Sequence, residues 1–102
     1  GVAAAAARGG CGPWSAEPTL GFPYATDIDG LAPTLVVSIT GDPTTPHSGG
    51  INLARTLGSA LLTVEGEGHT VVTGGTNTCV DDIAADYLSD LTLPPACATC
   101  QL

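Results

Sequence analysis

The sequence contains no lysine, and Arg8 and Arg55 are its only arginines. Against them stand ten aspartate and glutamate residues, so the 102-residue chain has a formal net charge of -8 at pH 7. Nucleic-acid affinity comes mainly from Lys and Arg that displace counterions, so this charge excludes nucleic acid and anionic membranes as expected partners. No apolar run approaches the roughly 20 residues needed to cross a bilayer, and no membrane span is predicted.

The chain also lacks a Gly-x-Ser-x-Gly segment, in which a strained strand-to-helix turn exposes a nucleophilic serine. None of its serines has both flanking glycines; they are Ser15, Ser38, Ser48, Ser59 and Ser89. A serine nucleophile is therefore not expected within these residues.

Four cysteines occur without the paired spacing of a zinc site; they are Cys11, Cys79, Cys97 and Cys100. This pattern favours disulfides in an oxidising compartment and predicts a secreted or cell-envelope protein without a bound metal or cofactor. Several pairings are open, and a bridge from Cys79 to Cys100 would fasten the tail to the start of the last helix. The spacing from Cys97 to Cys100 also suits a redox or zinc motif, but it follows two prolines and opens no helix, so structural bridging is preferred.

Proline and glycine divide the chain into three parts. Residues 1–10, rich in alanine and ended by two glycines, are predicted to form a flexible or helical arm. Residues 11–32 carry scattered prolines and predict an irregular connector. Residues 33–102 predict an α/β segment with a short parallel sheet and flanking helices.

Two short apolar runs, residues 33–40 and 60–65, are typical of parallel strands buried on both faces. Residues 46–57 between them predict a helix, which Gly58 ends, and the three together fit a βαβ unit. After a glycine-rich loop at residues 66–76, Asn77 or Thr78 is expected to cap a final helix, with Asp81 and Asp82 near its positive end. The face of this helix that is predicted to pack on the sheet consists of Val80, Ile83, Ala84, Tyr87 and Leu88.

An aspartate and a histidine follow the two predicted strands: Asp42 in Gly-Asp-Pro-Thr-Thr-Pro and His69 in Gly-Glu-Gly-His-Thr. Loops at the carboxyl ends of neighbouring parallel strands converge on one crevice. A carboxylate bonded to Nδ1–H fixes the imidazole tautomer and leaves Nε2 to take a serine proton. Alone, Asp42 is better explained as a turn residue and His69 as an exposed loop residue. Together, in this order, they predict the catalytic acid and base of a Ser-His-Asp triad.

Three other polar residues near these loops are interpreted as non-catalytic. His47 is interpreted as a surface residue because it lies at the start of a helix, close in sequence to Asp42. Glu65 and Glu67 precede the histidine and could bind a substrate's amino group, although solvated loop carboxylates are the preferred interpretation.

Several motifs in this order and spacing closely resemble the C-terminal region of the secreted bacterial tripeptidyl-aminopeptidase-like α/β-hydrolases. They are Cys11 and Trp14, Pro33-Thr34-Leu35-Val36-Val37, Gly41-Asp42-Pro43-Thr44-Thr45-Pro46, Gly68-His69-Thr70, Asn77-Thr78-Cys79-Val80-Asp81, Tyr87-Leu88 and Leu93-Pro94. The resemblance covers most of residues 11–100. It implies that Asp42 is the triad acid, that His69 is the triad base, and that the full enzyme releases short peptides from free N-termini or cleaves related esters and amides. Cys97 departs from the family pattern, which has a single cysteine near Cys100.

The chain is therefore expected to be the C-terminal portion of a secreted serine hydrolase whose nucleophile lies upstream, and to be inactive alone. A non-catalytic, disulfide-stapled secreted interaction module is the alternative. Two strands and two helices leave sheet edges and apolar faces uncovered, so the isolated chain is also expected to self-associate.

Overall fold

A computed structural model describes residues 15–17, 19, 21 and 26–102. The predicted arm at residues 1–10 lies outside the described residues, as do Cys11, Trp14 and much of the predicted connector. Residues 26–34 form turns and irregular backbone without a helix or strand.

The described chain has α/β architecture, and its elements alternate along the sequence as predicted. They are β1 (Leu35–Gly41), α1 (His47–Leu57), β2 (Ala60–Glu67), α2 (Thr78–Asp90) and β3 (Thr99–Gln101). The three strands form a parallel sheet in the order β1-β2-β3, so the predicted βαβ unit is present. Neither described helix is long and apolar enough to span a membrane.

The third strand was not predicted, because Thr99-Cys100-Gln101 contains no apolar run. It forms because Val64 of β2 pairs with Cys100 in parallel register. The N–H of Leu102 then extends the ladder by donating to the carbonyl of Glu65 over 2.9 Å. The outer edge of β2, expected to be bare, is therefore covered by the tail of the chain.

Local sequence signals set the C-terminal end of α1 and the N-terminal end of α2. Gly58 adopts the left-handed conformation (φ 66°) after α1, and its N–H caps the carbonyls of Ala54 and Arg55. The side chain of Asn77 accepts the N–H of Val80 over 3.1 Å and begins α2. Both boundaries agree with the sequence prediction.

The helices lie on opposite faces of the sheet. Alternate residues of β1 and β2 point to one face and form the main core with α2 and the loop before it. That core consists of Ile39, Leu62, Val64, Val71, Val80 and Cys100. On the other face, α1 packs closely on β1, since a Cβ added at Gly50 would lie 2.5 Å from Ser38 Oγ.

One residue of the predicted apolar face of α2 is not covered. Val80 and Ala84 are buried, but Leu88 is 70% exposed. At about 100° per residue, Leu88 is rotated roughly 80° from Val80 and lies at the margin of the apolar stripe. The prediction that it packs on the sheet was therefore wrong.

Candidate active site

The pairing of β1 with β2 contains a register shift near the carboxyl ends of the two strands. Ile39 pairs with Val64, but Gly41 pairs with Glu67, so β2 contains one extra residue. At this shift, the Thr40 hydroxyl accepts a hydrogen bond from the N–H of Gly66 over 3.1 Å. Gly66 has φ 145°, and a Cβ added at Gly41 would lie 2.7 Å from the Gly66 carbonyl oxygen. Bulges of this kind re-aim side chains beside active sites, and this one precedes both Asp42 and His69.

Asp42 organises the turn that follows β1. Its Oδ1 accepts the N–H groups of Thr44 and Thr45 over 2.8 and 2.9 Å, and Oδ2 accepts the Thr45 hydroxyl over 2.7 Å. The aspartate side chain is only 6% exposed. Asp42 is therefore a turn residue, as the sequence indicates when this residue is considered alone.

The same carboxylate also binds His69. Nδ1 of His69 lies 2.9 Å from Oδ2 and 3.1 Å from Oδ1 of Asp42, which is the contact expected from the sequence. Because an ionised carboxylate only accepts hydrogen bonds, Nδ1 carries the proton and Nε2 carries the lone pair of the neutral ring. Nε2 bonds to no described residue, and the His69 side chain is 43% exposed.

The pKa of Asp42 is held far below its usual value. The main cause is the N–H of Thr45, supported by the bonds to His69, the Thr45 hydroxyl and the Thr44 N–H, while burial opposes them. Hydrogen bonds to the charged form favour it, so Asp42 is a carboxylate throughout the neutral pH range.

The Asp42–His69 pair borders a cleft of about 720 Å³ that runs along β1. Much of its lining is apolar, including Val36, Leu53 and Val72. Ser38 also lines it, but its hydroxyl lies 2.8 Å from Nδ1 of His47. His47 is half-buried and bonded to Ser38, so it is a surface residue that is partly covered.

Among the described residues, the others considered from the sequence form no hydrogen bond with Asp42 or His69. Glu65 accepts a bond from the Gln101 amide over 2.8 Å, and Glu67 is exposed. Cys79 and Cys100 form a disulfide, with their Cα atoms 5.9 Å apart. Cys97 is exposed and forms no disulfide with any described residue, so Cys97 and Cys100 do not form a redox pair here. Within the described ranges, no group of His, Cys, Asp and Glu could hold a metal ion.

Reduction of the Cys79–Cys100 bridge is expected to destabilise the fold by about 3 kcal/mol, the loop entropy of a disulfide that spans 21 residues. The double variant Cys79→Ser/Cys100→Ser should show this loss as a lower urea midpoint at matched protein concentration. Cys97→Ser is the control, because it removes a thiol and leaves the bridge intact. Equal midpoints for the double variant and the wild type would contradict the prediction.

Sequence reasoning missed three contributions to the site. The N–H of Thr44 and the N–H and hydroxyl of Thr45 all donate to Asp42. An aspartate followed by threonine two and three positions later is a turn pattern that the sequence shows. Asp81, expected to interact only with the helix dipole, also binds the loop after His69. No local pattern indicates that second contact.

A parallel sheet with helices on both faces, with an aspartate and a histidine after adjacent strands, agrees with the C-terminal part of an α/β-hydrolase fold, and the family match assigns the chain to that class. The model of the family described as TAP-like protein matches residues 1–100, and the chain belongs to that family. The resemblance inferred from the motifs is thereby confirmed.

The relatives of this chain include hydrolases with different names. The chain is 45% identical over 92 residues to serine protease Hip1 of Mycobacterium tuberculosis, covering 90% of this chain and 17% of that protein. It is 41% identical over 90 residues to carboxylesterase B of the same species, covering 88% of this chain and 17% of the relative. The chain thus spans about a sixth of the length of these relatives.

Proposed function

We propose that this chain supplies the acid and the base of a Ser-His-Asp triad in a serine hydrolase, with Asp42 as the acid and His69 as the base. The observation that carries the proposal is the contact of both Asp42 carboxylate oxygens with His69 Nδ1. The nucleophilic serine would lie in an upstream segment, since none of the serines here has the flanking glycines of a nucleophile elbow.

In this mechanism, Nε2 of His69 removes the serine proton as the hydroxyl oxygen attacks the substrate's carbonyl carbon. The resulting imidazolium is stabilised by Asp42, which stays ionised and keeps the ring oriented through Nδ1–H. Nε2–H then protonates the departing amine or alkoxide, and an acyl-enzyme remains. Water, deprotonated by the same Nε2, hydrolyses that ester and restores the serine.

The substrate class proposed is a peptide or a small ester or amide. Relatives named serine protease and carboxylesterase support it, because both reactions pass through the same acyl-enzyme chemistry. Release of short peptides from free N-termini, as the family resemblance implies, is the proposed activity of the whole enzyme.

A secreted or cell-envelope location is proposed on the basis of the Cys79–Cys100 disulfide, since such bonds persist in oxidising compartments. The disulfide would equally suit a secreted interaction module. That alternative gives no role to a histidine held by a nearly buried aspartate, so hydrolysis is favoured.

The free edge of β1 supports the proposal that another part of the protein completes the sheet. Among the described strands, β1 pairs only with β2, although it is seven residues long. Val36 and Val37 of β1 are half-buried and line the open cleft. An upstream strand placed there would cover them and the unpaired backbone groups.

The isolated 102-residue chain is expected to be inactive and self-associated. It lacks an elbow serine, and among the described strands nothing pairs with the second edge of β1, which a second copy could therefore occupy. Assays of ester and aminoacyl-anilide hydrolysis would test the expected inactivity, and light scattering at several concentrations would test the expected self-association. The full-length protein is the comparison in both. Turnover by the chain that is lost in His69→Ala would contradict an upstream nucleophile. A monomer at every concentration would contradict the uncovered edge.

A further inference from the structure

The loop that carries His69 contains strained backbone. This loop, residues 68–77, joins β2 to α2 and is called the histidine loop below. Thr70 and Thr73 have φ values of 63° and 61°, a left-handed conformation that is unfavourable for β-branched residues. Such conformations persist only where surrounding contacts hold them.

Asp81 provides such contacts from the first turn of α2. Its Oδ1 accepts the N–H of Thr73 over 2.7 Å, and Oδ2 accepts the N–H of Gly75 over 2.9 Å. Hydrogen bonds to an ionised acceptor are stronger than neutral ones, and here both oxygens are used on one turn of the loop.

The helix that presents Asp81 is itself fixed. Val80 is fully buried in the core, and Cys79 is bonded to Cys100 of β3. The N–H of Asp81 also donates to the carbonyl of Asn77 over 2.9 Å, which closes the first turn of α2. Asp81 therefore binds the loop from a rigid support.

Two anchors enclose His69 along the chain. On the upstream side, the Leu102 side chain packs against Gly66 and Gly68. A Cβ added at Gly66 would lie 2.7 Å from Leu102, and a Cβ added at Gly68 would lie 3.3 Å from it. On the downstream side, Val71 is 7% exposed within the core. The strained turn at Thr73 begins two residues after Val71, and Asp81 holds that turn in place.

We propose that Asp81 is a positioning residue that holds the histidine loop so that His69 stays aligned between Asp42 and the substrate. This inference rests on the proposed function. It assigns Asp81 a role beyond the helix dipole, because the dipole requires only a negative charge in the first turn and not two bonds to loop amides.

The test uses Asp81→Asn in the full-length protein. The amide keeps the size of the side chain but replaces one acceptor oxygen with a donor, so one loop bond is lost. Asp82→Asn is the matched control, since Asp82 is exposed in the same helical turn and the charge change is identical.

Fluorophosphonate titration would count active sites, so that kcat is measured per site. Hydrogen exchange of peptides covering residues 68–76 would report the loop directly.

Asp81→Asn is expected to lower kcat per titrated site by about 10- to 100-fold, since a displacement of about 1 Å can have effects of that size. KM should stay within a few-fold, exchange in the loop should rise, and Asp82→Asn should match the wild type in all readouts. Unchanged loop exchange, an unchanged kcat per site, or an equal loss in Asp82→Asn would each overturn the inference. His69→Ala is measured separately in the same assay, and full activity there would overturn the proposed function itself.

Discussion

Replacing His69 with alanine in the full-length protein is expected to lower kcat by about a million-fold, as loss of the histidine does in a serine protease triad. Without the imidazole, no group accepts the serine proton or protonates the leaving group. The measurement is ester and aminoacyl-anilide hydrolysis by purified protein, with circular dichroism to establish that the variant is folded.

His47→Asn is the matched control, because it removes the other histidine of this chain. His47 bonds Ser38 and is not expected to exchange protons with substrate. Its variant should keep kcat within about 10-fold of the wild type, far from the loss expected for a triad histidine. A larger loss in His47→Asn than in His69→Ala would mean that the catalytic base has been assigned to the wrong histidine.

Asp42→Asn is expected to lower kcat by about ten-thousand-fold, the effect of the same change in a known triad. The amide can donate to His69 Nδ1, which stabilises the tautomer with the proton on Nε2, and that tautomer cannot act as a base. Asp82→Asn again controls for the loss of one negative charge. A loss below about 10-fold would indicate that Asp42 only shapes its turn.

The same variant gives a second readout through its stability. The pKa of Asp42 is lowered in the folded protein, mainly by the Thr45 N–H, relative to about 3.9 for an unperturbed aspartate. The ionised carboxylate therefore stabilises the fold above about pH 4, and this contribution is lost as the pH falls further. The difference in unfolding free energy between wild type and Asp42→Asn should be largest near neutrality and shrink in acid. A difference that does not change with pH would contradict the assigned contacts.

The elements that were predictable from sequence depend on local chemistry. The β-branched run of β1, the Gly58 stop and the Asn77 cap each act within a few residues, and the order of strand, helix and strand follows from them. The pairing of Asp42 with His69 was predictable because parallel strands end at the same edge of a sheet.

The features that were missed depend on contacts between distant parts of the chain. β3 pairs with the edge of β2, and nothing in Thr99-Cys100-Gln101 itself indicates that pairing, although the bridge from Cys79 to Cys100 was among the pairings considered. Likewise, the bond from Ser38 to His47 requires α1 to lie on β1. The two bonds from Asp81 require the strained turn of the histidine loop.

The most direct test of the central claim is to label the full-length protein with a fluorophosphonate and locate the modified residue by peptide mass spectrometry. We expect one labelled serine, outside these 102 residues, and labelling slowed by orders of magnitude in His69→Ala. Label on a serine within this chain, such as Ser38 in the cleft, or labelling at the wild-type rate in His69→Ala, would contradict it.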